Sequence, residues 1–139
     1  MNSVNVQKFD RSEPGFHSAL VFDSWKTAIF NYAPEWQEKN IHFLQKHMLT
    51  DEVFVLLQGE CTLIISDENI PETMYGVRME KGKIYNIPKG VWHSHVLSTG
   101  SKLIVVENSN TTPENSPKMP VPYPVDLHQL KYEDAVASK

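Results

Sequence analysis

The 139-residue sequence has one cysteine, no block of lysine and arginine, and no apolar run approaching the roughly twenty residues of a membrane span. Each absence excludes something. Cys61 alone cannot form an intrachain disulfide, and between Glu60 and Thr62 in an apolar run it reads as a small buried hydrophobe rather than an activated thiolate. A formal net charge of −4 without a basic cluster removes the electrostatic footprint of a nucleic-acid binder or a polybasic membrane binder. The opening stretch MNSVNVQKFDRSEPGF is too polar for a secretory leader, so a cytoplasmic location is expected. No segment carries the periodicity of a long helix. The partner left by these exclusions is a small molecule.

What is present is a succession of short β-branched and aromatic runs punctuated by turn residues. This is the pattern of an all-β sandwich or barrel. Apolar content of 40% and charged content of 22% are ordinary for a globular chain, and the length gives room for one core. Strands are expected at His17–Phe22, Thr27–Tyr32, His42–His47, Glu52–Leu57, Cys61–Ser66, Thr73–Met79, Ile84–Ile87, His93–Ser98 and Lys102–Asn108. Short turns between them, including one over Asp67 to Pro71, predict mostly antiparallel neighbours.

Residues 1–16 then form an N-terminal strand arm, 17–108 the barrel, and 109–139 a Pro-rich C-terminal arm. The prolines of that arm predict an extended surface segment without a regular ladder, and Asp126 to Ala137 one or two helical turns. Val53 to Leu57 and Leu103 to Val106 are apolar on both faces, so the outer face needs a second sheet, a terminal arm or a partner subunit, with a homodimer one reasonable cover. Trp92, facing away from its neighbour His93, is the expected dimer contact.

The chemistry-bearing residues follow from strand alternation. Phe43, Gln45 and His47 share one face, and His42 takes the other. After His47 come four residues, then Glu52, then six residues, then Gly59; a second element runs Gly82, five residues, Pro88, Gly90, two residues, His93. This spacing sets the two imidazoles and the carboxylate at the ends of adjacent strands, where inward side chains converge. His95 lies two residues beyond His93 and faces the same interior. His17, His42 and His128 share neither the facing nor the spacing and read as structural or surface residues. Arg78, Lys83, Tyr85 and Glu107 could line the pocket or face outward, depending on register.

These two elements resemble the paired motifs of the cupin superfamily over roughly residues 42 to 108. The resemblance implies a double-stranded β-helix, or jelly roll, often dimeric, whose motif side chains hold a divalent metal such as Zn, Fe, Mn or Ni. Here the ligands would be His47, Glu52 and His93, with Gln45 where the family most often has its first histidine. Leu97 stands where the second motif often ends with asparagine. A Gln-His-Glu-His set also resembles that of the cupin-type phosphomannose isomerases, although their glutamate is spaced differently. His95 could be a fourth ligand or a catalytic proton carrier. The resemblance implies a metal-dependent isomerase, lyase or dioxygenase acting on a sugar or a keto or hydroxy acid. A hydrogen-bonded Glu52-His47 pair in a metal-free binding or sensing module is the alternative.

Overall fold

The computed structural model describes residues 5–67 and 70–137, so the expected turn over Asp67 to Pro71 lies partly outside the described residues. Two sheets form the body. One has five strands: β1 (Gly15–Phe22), β2 (Trp25–Asn31), β4 (Glu52–Gln58), β7 (Ile84–Ile87) and β9 (Lys102–Asn108), in the order β1-β2-β9-β4-β7. The other has six: β3 (Phe43–Gln45), β5 (Cys61–Asp67), β6 (Ile70–Arg78), β8 (Trp92–Leu97), β10 (Lys118–Pro120) and β11 (Lys131–Tyr132), in the order β10-β3-β8-β5-β6-β11. Every pairing is antiparallel except that of β11 with β6. The strand pattern's all-β sandwich is present, in the form of the jelly roll that the resemblance implied. Among the described residues, no helix is long and apolar enough to cross a membrane.

Alternation decides what lies between the sheets. Phe54, Leu56, Leu103 and Val105 from the five-stranded sheet meet Cys61, Leu63, Ile65 and Leu97 from the six-stranded one in a single buried cluster. Cys61 is buried there, and burial pushes its thiol well above the usual range, which agrees with a structural role. The glycine that closes the first motif has a steric cause. Gly59 has φ of +80°, and a β-carbon there would sit 2.6 Å from the Ser101 α-carbon.

The C-terminal arm departs from the expectation of an unladdered segment. Lys118–Pro120 pairs with β3, Pro120 standing at the end of an edge strand where its missing N–H costs no ladder bond. Farther on, Gln129 and Leu130 donate to the Asp126 carbonyl in a single turn, after which Lys131–Tyr132 pairs with β6. The arm thereby covers the outer face of the six-stranded sheet. Val125 and Leu130 bury against Leu44, Ile64, Met74 and Val96, and Trp92 packs on this second cluster within its own chain, with Lys46 Nζ 4.6 Å from its ring. The outer face of the five-stranded sheet is open by comparison: Leu57 is 48% exposed and Ile84 75%.

Candidate metal-binding site

The strand expected over His42–His47 stops at Gln45, because the chain then bonds to the arm: Lys46 N–H donates to the Pro117 carbonyl and Met48 N–H to that of Asn115. His47 therefore sits just past β3. Its carbonyl accepts a 2.8 Å bond from Gly90 N–H, which ties it to the turn that launches β8. That turn is held in place by Asp51, whose carboxylate accepts from Lys89 N–H at 2.9 Å and Asn86 Nδ2 at 3.0 Å. Gln45 is the residue through which β3 pairs with β8, directly opposite His93.

Glu52 comes from elsewhere. It opens β4, in the other sheet, so the three side chains converge across the sandwich rather than from adjacent strands as the spacing predicted. Glu52 Oε1 lies 3.2 Å from His47 Nε2 and 3.0 Å from His93 Nε2, and all three residues are buried. Their donor atoms lie within 4.8 Å of one another, and among the described residues this cluster contains no other His, Cys, Asp or Glu. Ligands about 2.0–2.2 Å from a common zinc ion stand about 3–4 Å apart, and the two separations from Glu52 Oε1, 3.2 and 3.0 Å, fall in that range.

Both imidazoles are oriented from behind. His93 Nδ1 donates to the Val91 carbonyl at 2.9 Å, which can only accept, so Nε2 is left to face Glu52, donating to it when protonated and offering its lone pair to a cation when not. His47 Nδ1 shares a 2.7 Å hydrogen bond with Ser116 Oγ from the arm. Such partners set the tautomer in metal-ligating histidines. Gln45 Nε2 donates to the Ser116 carbonyl at 3.0 Å, so its amide nitrogen is taken by the arm, and the residue lines the same pocket. Burial by itself pushes the Glu52 carboxyl up. Hydrogen bonds with His47 and His93, together with the charge of His93, outweigh that effect and hold it well below the usual carboxylate range.

The pocket around this cluster has a volume of about 220 Å³. His95 lines it but does not join the three donors. Its ring packs edge-on against Trp36 at 4.8 Å, Phe30 at 4.9 Å and Phe54 at 5.3 Å between centroids. Part of the ring faces the pocket, while Nδ1 is sealed from solvent without a partner. Burial, then the charge of His93, pushes this imidazole down to about 3, so it is neutral at physiological pH. A second cleft of about 250 Å³, beside Tyr32, Glu60 and Ser98, contains none of these residues.

Glu107, left open by the sequence, also lines the pocket. On β9 it stands directly opposite Glu52 on β4 and Lys26 on β2, so a cation and two carboxylates form one rung on the inner face. Lys26 Nζ lies 3.4 Å from its Oε1. Burial first, then the hydrogen bond and charge of Glu52, push the Glu107 carboxyl up to about 7, against the pull of Lys26. The signal was present in the alternation Leu103, Val105, Glu107, which puts a carboxylate on a strand face otherwise buried and apolar.

Folding favours the protonated form of a carboxyl raised above its ordinary value of about 4.3. That contribution is complete below the ordinary value and is lost as pH rises through 7. In metal-free protein, Glu107→Gln is expected to flatten the decline in urea stability between pH 5 and 8 by about 2 kcal/mol. Parallel slopes in both proteins would contradict a carboxyl titrating there.

No family model matches the sequence, and no curated protein does. Solved structures do. A variant of oxalate decarboxylase from Bacillus subtilis superposes at a TM-score of 0.57 and 16% identity over 78% of this chain. This chain spans only 29% of that protein's length. Streptomyces PAC13, solved with uridine, superposes at a TM-score of 0.55 and 6% identity, over 84% of this chain and 93% of its own. A cupin-2 domain protein from Shewanella frigidimarina matches at a TM-score of 0.48 and 17% identity, over 70% of this chain and 82% of its own. At such identities the likeness establishes fold alone. Fold and site together make a jelly roll of cupin-like fold carrying a His-Glu-His cluster able to hold a metal. In particular, the described residues form one such barrel.

Proposed function

We propose that this protein binds a divalent metal ion through His47, Glu52 and His93, with Gln45 as a further donor, and holds a small oxygen-rich molecule there. The ligand class is a sugar or a keto or hydroxy acid, and isomerase, lyase or dioxygenase chemistry is compatible with it. The observation that carries the reading is a single carboxylate oxygen, Glu52 Oε1, within 3.2 Å of the outward nitrogens of two imidazoles whose other nitrogens are already engaged. A metal held there would polarise a carbonyl or enediolate oxygen of the ligand.

The chain's own groups supply the rest. Glu107, with its carboxyl near 7, is matched to exchange a proton with a pocket-bound ligand. The catalytic role expected of His95 would here be that of a neutral imidazole hydrogen-bonded to the ligand rather than of a proton carrier. The aromatic rings around His95 exclude water from that wall. The reading takes the protein as cytoplasmic and homodimeric, the open apolar face of the five-stranded sheet supporting the second point.

A metal-free binding or sensing module is the competing reading, because Glu52 finds hydrogen-bond partners in both histidines without an ion. Elemental analysis separates them. Purified wild type is expected to carry close to one divalent metal per chain, and His47→Ala little. Equally low content in both would end the metal reading and leave the binding module.

A further inference from the structure

The pocket has two unlike halves. One holds the three candidate ligands. The other is aromatic, and its mouth is framed by rings from both sheets: Phe16 on β1, 42% exposed, and Phe43 on β3, 37% exposed. Phe16 continues inward edge-to-face onto Phe30 at 5.5 Å, and Phe30 onto Trp36 at 5.3 Å. Large apolar rings left in contact with water around one opening mark a binding surface.

A second observation points the same way. Among the described residues, the buried side-chain polar atoms without a hydrogen-bond partner are Trp36 Nε1, His95 Nδ1 and Glu107 Oε2, and all three residues line this pocket. Unsatisfied buried groups gathered at one place are a feature of ligand and catalytic sites. Size and charge narrow the class. A volume of about 220 Å³ is below the roughly 300–1,000 Å³ of sites for drug-sized ligands, leaving room for one ring and a short head group. With Lys26 3.4 Å from Glu107, a divalent ion beside Glu52 would leave the pocket with net positive charge for an anionic head group. Lys118 Nζ, 4.4 Å from the Phe43 ring, adds positive charge at the mouth.

Building on the metal reading above, we propose that the ligand is a small monoanion in which a planar apolar ring is joined to a carboxylate or enolate head. Phe16, Phe43 and Trp36 hold the ring, and the head meets the His47, Glu52 and His93 cluster. A sugar satisfies only the second half of this description, so the keto-acid and hydroxy-acid arm is the one the pocket selects.

Calorimetric titration of Mn(II)-loaded protein with phenylpyruvate, pyruvate and 2-phenylethanol tests it. Phenylpyruvate is expected to bind at least about tenfold more tightly than either of the others, because only it fills both halves. In the Phe16→Leu/Phe43→Leu double variant, which keeps apolar bulk at two part-exposed positions, the preference over pyruvate should fall to about twofold while metal content is unchanged. Equal affinity for phenylpyruvate and pyruvate, a ring preference that survives in the double variant, or 2-phenylethanol binding as tightly as the keto acid would overturn the inference. Metal content is measured separately, so these failures leave the metal reading intact. Should the chain take up no metal, the phenylpyruvate and pyruvate comparison on the metal-free protein decides in the same way.

Discussion

Saturating Mn(II) or Zn(II) raises the thermal unfolding midpoint of the wild-type protein by about 10 °C or more and leaves that of Glu52→Gln nearly unmoved. An ion that binds the folded chain alone stabilises it by about 4 kcal/mol at a thousand times its dissociation constant. In a chain of this length, each kcal/mol is worth roughly 3 to 5 °C. The ligands are contributed by two sheets, so no local segment of the unfolded chain presents the set. Glu52→Gln preserves shape while removing the one charge in the cluster that opposes the ion. Scanning calorimetry with and without metal, on both proteins, reads the outcome. A shift of equal size in the variant would place the ion somewhere other than beside His47 and His93.

Phe54→Ala is expected to lower the unfolding free energy by about 4 kcal/mol, near the upper end for a large-to-small core change. Phe54 has no solvent exposure, lies on the inner face of the β4 segment, and sits between the apolar cluster and the candidate site. Its ring centroid is 5.3 Å from that of His95 and 6.4 Å from that of His93. Truncation thus opens a cavity directly beneath both imidazoles. Against a typical total of about 5–15 kcal/mol the loss is severe, and Phe54→Leu, which keeps most of the volume, should cost about 1 kcal/mol. Urea titrations of metal-free protein measure it. A loss below 1 kcal/mol for the alanine variant would mean that the two sheets close over the gap.

The correspondence between residue pattern and architecture is closest where it depends on neighbours in the chain. Runs of β-branched and aromatic residues bounded by turn signals located Glu52–Gln58, Cys61–Asp67 and Lys102–Asn108 to within a residue or so, and on such extended segments an inward residue is followed by an outward one regardless of what it packs against. The same rule put Gln45 and His47 on the pocket side, and it held for His93 and His95. It failed at the arm. Proline content suggested an unpaired surface strip, yet Lys118–Pro120 adds an edge strand beside β3, and Ser116 braces both His47 and Gln45. Edge geometry tolerates the proline, and nothing within the arm's own residues announces which edge it will meet.

Residue order alone determined that this chain is extended and all-β and that two imidazoles and a carboxylate face inward. Partners are another matter. Only the tertiary structure decided that Glu52 reaches the histidines from the opposite sheet, that Glu107 shares a rung with it, and that Phe16 and Phe43 frame one opening. The reason is physical: alternation is set by the local backbone, whereas pairing between strands fifty or more residues apart depends on how the whole sandwich closes, which no single segment encodes.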